Sequence, residues 1–134
     1  MASAAVDLLG RVPLFQGLEK RELEDICRTV HERTFQPGET VATEGQGGVG
    51  FFVIQDGEAK VTIGGEEVRR LGPGDYFGEI ALITEGARTA TVTAESELRC
   101  YGLTPWEFRP LVQSNASIAW KILQALARQV DQRH

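Results

Sequence analysis

The stretch Phe51–Ile63, FFVIQDGEAKVTI, contains two strand patterns separated by a turn signal. Its first half is a nearly continuous apolar run, which is typical of a strand buried on both faces. Asp56-Gly57 is a dipeptide that favours a tight hairpin turn. Apolar and polar residues then alternate over Ala59–Ile63, as in a strand that buries one face. The stretch therefore predicts a β-hairpin.

Short strand patterns separated by turn signals continue on both sides of this stretch, over about residues 31–104. Most of the 15 glycines lie in this region, and turn signals recur at intervals of about ten residues without helical patterns between them. The turn signals are Pro37-Gly38, Asp56-Gly57, Gly64-Gly65 and Pro73-Gly74-Asp75. Short strands joined in this way predict antiparallel sheets closed on themselves, a jelly-roll-like β-roll, and they disfavour a parallel sheet.

Helical patterns flank the predicted roll on both sides. Over about residues 6–30 apolar residues recur at helical spacing, interrupted by Gly10, Pro13 and Gly17, so we expect short helices there. After the strands, the tetrapeptide Thr104-Pro105-Trp106-Glu107 combines a cap, a proline suited to the first helical position and a capping-box glutamate. We expect C-terminal helices over about residues 105–131.

The second of these C-terminal helices is expected to follow Ser114-Asn115. Its apolar stripe consists of Ala119, Ile122, Leu123, Leu126 and Val130. The stripe could pack on the sheet, close a pocket or pair with a second copy of the chain. The sequence leaves these alternatives open.

Composition limits both the organisation and the function. A chain of 134 residues suits a single domain over residues 1–134, and a net charge of −5 disfavours a basic nucleic-acid-binding face. No apolar run reaches the ~20 residues of a membrane span, and the N-terminus lacks a signal-peptide pattern, which predicts a cytoplasmic location. Cys27 and Cys100 form no CxxC pair and are expected to be core thiols. With only His31 and His134, the sequence offers no ligand set for a metal, so no metal site is predicted.

The strand pattern is interrupted at Phe77–Thr91, FGEIALITEGARTAT. Gly78 permits a close approach of the backbone to a ligand, and a helical turn after it would offer free N–H groups to an anion. If the next strand began at Arg88, this side chain would share the apolar, inward face with Ala90 and Val92. A buried arginine needs a counter-ion, which would be either a carboxylate such as Glu79 or a bound anion.

The order of residues in this segment resembles the phosphate-binding cassette of cyclic nucleotide-binding domains. The matching residues are Gly78, Glu79, Ala81, Leu82, Arg88, Thr89 and Ala90. Over about residues 10–130 the chain is similar to the sensor domain of the catabolite activator family and to regulatory modules of cyclic-nucleotide-dependent kinases and channels. Further matching segments are Val12–Leu18, Phe35–Glu39 and Phe52–Gly57. Unlike catabolite activators, the sequence does not continue into a helix-turn-helix.

The resemblance implies a role for each cassette residue. Arg88 would bind the cyclic phosphate, and Glu79 would accept a hydrogen bond from the ribose 2′-hydroxyl. Backbone N–H groups near Ile80 and Ala81 would also bind the phosphate, and Gly78 would keep the loop close to the sugar.

The base is less well defined by the sequence than the phosphate. Thr89 resembles the residue that contacts guanine in cGMP-responsive members, but similar hydroxyls occur in cAMP-binding members, so cAMP is placed slightly ahead. Ala90 completes the expected binding segment. The family often caps the base with the last helix, for which Leu123, Leu126, Ala127 and Val130 are the candidates.

The resulting hypothesis is a non-enzymatic sensor of cAMP or cGMP, with no catalytic residues and no cofactor beyond the nucleotide. Ligand binding would move the C-terminal helix, whose surface could contact a second copy of the chain or a regulated protein partner. One alternative is a member of the fold that binds no nucleotide and acts as an interaction or dimerisation module. Another is a cupin-like enzyme, which the missing ligand set disfavours.

Overall fold

In a computed structural model, the structure describes residues 2–43, 45, 50–78, 82–83 and 90–132. The pattern of contacts between Cα atoms divides the chain into two compact units. One, the β-roll, comprises Val30–Pro105, and the other, the helical unit, comprises Met1–Thr29 with Trp106–His134. That the two units together make one domain stays a prediction.

Eight strands form two antiparallel sheets in the β-roll. They are β1 (His31–Phe35), β2 (Thr40–Ala42), β3 (Phe51–Asp56), β4 (Ala59–Ile63), β5 (Glu66–Leu71), β6 (Tyr76–Phe77), β7 (Thr91–Ala94) and β8 (Leu98–Leu103). The strand order is β1-β8-β3-β6 in one sheet and β2-β7-β4-β5 in the other. The predicted antiparallel β-roll is confirmed.

The turn at Asp56-Gly57 does not make the predicted hairpin. Strand β3 pairs with β6 and β8, whereas β4 pairs with β5 and β7, so the chain crosses from one sheet to the other at this turn. Gly57 has a φ of +94°, and a side chain there would collide with the carbonyl of Glu97 in the neighbouring turn. The true tight hairpin joins β4 to β5 through Gly64-Gly65, with φ values of +60° and +87°.

Apolar side chains from both sheets meet in one core. Its buried members are Phe35, Phe52, Ile54, Ala59, Leu71, Val92, Ala94, Leu98 and Cys100. Phe52 lies at its centre, with ring centroids 5.9 Å from Phe35 and 5.4 Å from Phe77. Because successive side chains of a strand point to opposite faces, β3 and β8 contribute every second residue to this core.

The two cysteines are free thiols with different degrees of burial. Cys100 is fully buried in the roll, and burial raises the pKa of its thiol to about 12. Cys27 is half-buried at the end of a helix, and desolvation raises its pKa to about 11. The expectation of a core thiol is therefore confirmed for Cys100, while Cys27 lies at the edge of the core.

The helical unit contains short helices before the roll and two helices after it. They are α1 (Ala2–Gly10), a 3-10 turn (Pro13–Phe15), α2 (Lys20–Cys27), α3 (Pro105–Gln113) and α4 (Ala116–Gln132). The predicted starts after Thr104 and after Asn115 are confirmed. Asn115 caps α4, since its Oδ1 accepts a hydrogen bond from the N–H of Ile118 at 3.2 Å.

The apolar stripe of α4 does not coincide with the buried face of the helix. The buried face consists of Ile118, Ile122 and Ala125, whereas Leu123 and Val130 are each 56% exposed. Positions 118, 122 and 125 lie on one face at a spacing of three and four residues. Leu123 is rotated by about 100° from Ile122, and this rotation carries it off the buried face.

Candidate functional site

The cassette begins where strand β6 ends. Tyr76 and Phe77 pair with Val53 and Phe52 of β3. Gly78 follows with a φ of +86°, a left-handed conformation that glycine adopts without the steric cost of a side chain. The paired strand and the Phe52–Phe77 contact therefore fix the point from which the segment leaves the first sheet.

The cassette ends where strand β7 begins in the second sheet. Ala90 is half-buried, and β7 starts at Thr91, which pairs with Thr62 of β4. Val92 and Ala94 are buried, so the inward face expected from the alternation is confirmed at these two positions. The segment between Gly78 and Ala90 thus connects the two sheets of the roll.

Five of the predicted ligand residues lie outside the described residues: Glu79, Ile80, Ala81, Arg88 and Thr89. Their roles, and the short helix expected at the start of the cassette, stay predictions. Within the segment the structure describes Leu82 and Ile83. Leu82 is buried, with 2% of its surface exposed.

The four candidate lid residues of α4 differ in their exposure to solvent. Leu123, Ala127 and Val130 are exposed, and Leu126 is half-buried. The exposed apolar residues of α4, together an exposed seam, are Ala116, Trp120, Leu123, Ala127 and Val130. Their spacing of 4-3-4-3 is that of a heptad repeat, which is the pattern used in helix pairing.

A buried carboxylate links α2 to α4 in the helical unit. One oxygen of Glu22 accepts hydrogen bonds from Lys121 Nζ at 2.6 Å and from the N–H of Glu19 at 2.9 Å. Its other oxygen accepts the hydroxyl of Ser117 at 2.8 Å. Lys121 and Ser117 lie in the first half of α4, and the second half carries the lid candidates. We call these three linked side chains the α2–α4 anchor.

The charge of Glu22 is stabilised despite its burial. Desolvation raises the pKa of this carboxyl, but the hydrogen bonds from Lys121, the Glu19 N–H and Ser117, together with the charge of Lys121, outweigh it. The pKa falls from 4.5 to about 2. Glu22 was not among the residues singled out from the sequence. Glu19 and Glu22 form a capping box at the start of α2, but glutamate is not a usual cap residue, so no standard cap pattern marked Glu22 in the sequence.

Among the described residues, no group of three or more His, Cys, Asp or Glu side chains is arranged to hold a metal ion. Across those same residues, no helix combines the length and the apolar character that crossing a membrane requires.

The fold and the residues on either side of the cassette define the class of protein. It is an antiparallel β-roll with helices before and after it in the sequence, and a segment that begins at Gly78 joins its two sheets. A family model described as "Cyclic nucleotide-binding domain" matches residues 32–115, well over half of the chain. The chain belongs to the cyclic nucleotide-binding domain family. No catalytic domain is evident among the residues that the structure describes.

Relatives of known sequence include two kinds of kinase protein. The chain is 40% identical over 93 residues to a cAMP-dependent protein kinase regulatory subunit of Yarrowia lipolytica, covering 68% of this chain and 25% of the relative. It is 38% identical over 95 residues to a cGMP-dependent protein kinase of Toxoplasma gondii, covering 71% and 10%. The chain thus spans a quarter or less of the length of these two relatives.

Solved structures share the fold. The N-terminal domain of a transcriptional regulator from Streptomyces coelicolor A3(2) superposes with a TM-score of 0.86 at 30% identity, covering 95% of this chain and 92% of that one. A cAMP-bound PfPKA-R fragment superposes with a TM-score of 0.76 at 25% identity, covering 98% and 44%.

Proposed function

We propose that this protein is a non-enzymatic regulatory module that binds a cyclic nucleotide at residues 78–90. The observation that carries the proposal is the match to the cyclic nucleotide-binding domain model over a chain that retains Glu79 and Arg88. Arg88 would bind the cyclic phosphate through its planar fork, and Glu79 would accept the ribose 2′-hydroxyl. Backbone N–H groups near Ile80 and Ala81 would complete the phosphate site.

For the base, cAMP is placed slightly ahead of cGMP. Relatives named for each nucleotide match this chain at similar identity, so they do not separate the two. Thr89 could contact guanine through its hydroxyl, but a threonine at the start of a strand is also common for reasons of propensity alone. Direct competition between the two nucleotides would decide the preference.

The output of the proposed sensor is helix α4. Leu123, Leu126, Ala127 and Val130 would cap the base, which requires that α4 differ in position between the free and bound states. The nucleotide would bias this equilibrium only through its different affinity for the two states. A second copy of the chain or a regulated protein partner would bind the exposed surface of α4. We also propose a cytoplasmic location for the protein.

Isothermal titration calorimetry with cAMP and cGMP tests the proposal. We expect one nucleotide to bind per chain. The comparison ligand is 5′-AMP, which lacks the cyclic phosphate. Arg88→Ala should weaken binding by 2–5 kcal/mol, which is about 30-fold to several thousand-fold, because a buried charged contact is lost. Arg69→Ala, which removes an exposed arginine of β5, is the matched control and should bind as the parent does. A folded protein that gives no heat with either nucleotide at millimolar concentration would refute the proposal.

A second candidate is a nucleotide-independent interaction module, and the exposed seam of α4 favours it. Apolar side chains at heptad spacing on a helix surface are suited to pairing with another helix. The hypothesis of a nucleotide-independent module predicts self-association or partner binding that neither nucleotide nor Arg88→Ala changes. Analytical ultracentrifugation with and without cAMP separates the two candidates.

A further inference from the structure

A pocket lies on the β-roll, at the edge formed by the start of β1, the start of β3 and the end of β8. It has a volume of about 280 Å³ and is lined by His31, Arg33, Phe52, Gly102, Leu103 and Thr104. Pockets for drug-sized ligands begin at about 300 Å³, so this one suits a smaller molecule. Among the residues that the structure describes, none that lines the pocket belongs to the cassette.

Gly102 keeps the floor of this pocket open. A side chain at this position would lie 2.9 Å from the ring of Phe52 and 3.6 Å from Cγ of Arg33. Because glycine has no side chain, the Phe52 ring and the stem of Arg33 can both approach the backbone at this position closely. The floor that results is apolar, formed by Phe52 and Leu103, both of which are buried.

Arg33 supplies the charge at the rim. It is exposed, and its guanidinium lies 5.3 Å from the centroid of the Phe35 ring. Within the described ranges, the ion pairs of the roll involve Lys60 and Arg70, and no carboxylate lies within ion-pair distance of Arg33. A guanidinium stacked on an aromatic ring is held in place while its N–H groups remain able to bind an anion.

We propose that this pocket binds a small carboxylate with an aromatic or short alkyl body. The guanidinium of Arg33 binds the carboxylate through its planar fork, and the body of the ligand packs on Phe52 and Leu103. The described lining residues of this pocket are not shared with the proposed nucleotide site at residues 78–90.

Phenylacetate is the probe, titrated into ¹⁵N-labelled full chain and followed by heteronuclear NMR. We expect saturable shifts of the Gly102, Leu103 and Arg33 amides with a Kd on the order of 1 mM, as befits a ligand of about ten heavy atoms. Arg33→Gln should weaken binding about tenfold or more, because the charged contact is lost. Arg99→Gln removes an exposed arginine of β8 outside the pocket and should leave the affinity unchanged.

The proposed nucleotide site is separated from this pocket by two further titrations. Phenylacetate should give the same Kd in the presence of saturating cAMP and in the Arg88→Ala variant. Competition by cAMP, or loss of binding in Arg88→Ala, would assign the probe to the nucleotide site and overturn the proposal. Equal affinity in Arg33→Gln, or no shift at Gly102 with about 20 mM probe, would overturn it as well.

Discussion

Both units bury apolar side chains, but among the described residues the one buried charged side chain lies in the helical unit. The roll closes on a continuous apolar core that includes Phe52, Ile54 and Leu98. In the helical unit a buried carboxylate, Glu22, joins two helices through directed hydrogen bonds. Apolar packing has no preferred direction, so its loss is felt throughout a close-packed core, whereas an ion pair has discrete partners that can be exchanged. The difference predicts that truncating a side chain of the roll core costs more stability than neutralising Glu22.

The largest expected effect is in the roll. Leu98 is fully buried in the apolar core, so Leu98→Ala should lower the free energy of unfolding by about 3 kcal/mol through lost burial and the cavity that remains. Chemical denaturation followed by circular dichroism measures this loss. Ile63→Ala, at an exposed end of β4, should cost less than about 1 kcal/mol. Equal costs for the two variants would contradict the description of the roll core.

A smaller effect is expected at the α2–α4 anchor. Glu22→Gln keeps the size of the side chain but removes its charge, and we expect a loss of about 2 kcal/mol. This is below the 3–5 kcal/mol of a fully buried pair because a quarter of the Lys121 side chain is exposed. Asp25→Asn is the control, since its exposed ion pair with Arg28 should contribute less than about 1 kcal/mol. If Asp25→Asn lowers the free energy of unfolding as much as Glu22→Gln does, the α2–α4 anchor contributes no more to stability than an exposed ion pair.

The stabilisation by Glu22 depends on pH with a defined sign. Its pKa is lower in the folded chain, about 2, than its ordinary value of 4.5. The contribution is therefore complete above about pH 4.5 and is lost as the pH falls towards 2. The difference in unfolding free energy between the parent and Glu22→Gln should shrink over this window. A difference that stayed constant from pH 7 to pH 3 would show that the charge of Glu22 is not what stabilises the helices.

The smallest effect on stability is expected on the exposed seam of α4. Leu123→Ser should change the free energy of unfolding by less than about 0.5 kcal/mol, whereas Ile122→Ala, one residue earlier on the buried face, should cost about 2 kcal/mol or more. Thermal or chemical denaturation of the pair compares the two faces of one helix. A large cost for Leu123→Ser would show that this face is packed in solution.

Much of the fold was predictable from local sequence signals. The turn dipeptides located the ends of the strands, and the caps near Thr104 and Asn115 located both C-terminal helices. Pairing was less predictable, because Asp56-Gly57 has the composition of a hairpin turn but connects strands of different sheets. Strand partners depend on distant residues such as those of β8, and a local pattern does not contain them.

The candidate site shows the same division between local and distant information. Glycine at position 78 was expected from the motif, and its φ of +86° gives the physical reason. Which face of α4 is buried could not be read from an apolar stripe, because α4 carries apolar residues on two faces. The anchor at Glu22 joins residues 95 and 99 positions apart in the chain, a separation that no local pattern reveals.

Hydrogen–deuterium exchange with and without saturating cAMP tests the central claim most directly, since it reports on the scaffold, the cassette and α4 in one experiment. We predict slower exchange, by about tenfold, in residues 78–91 and in α4, with β3 and β8 unchanged. Exchange that is the same in all of these regions with and without cAMP would contradict the account.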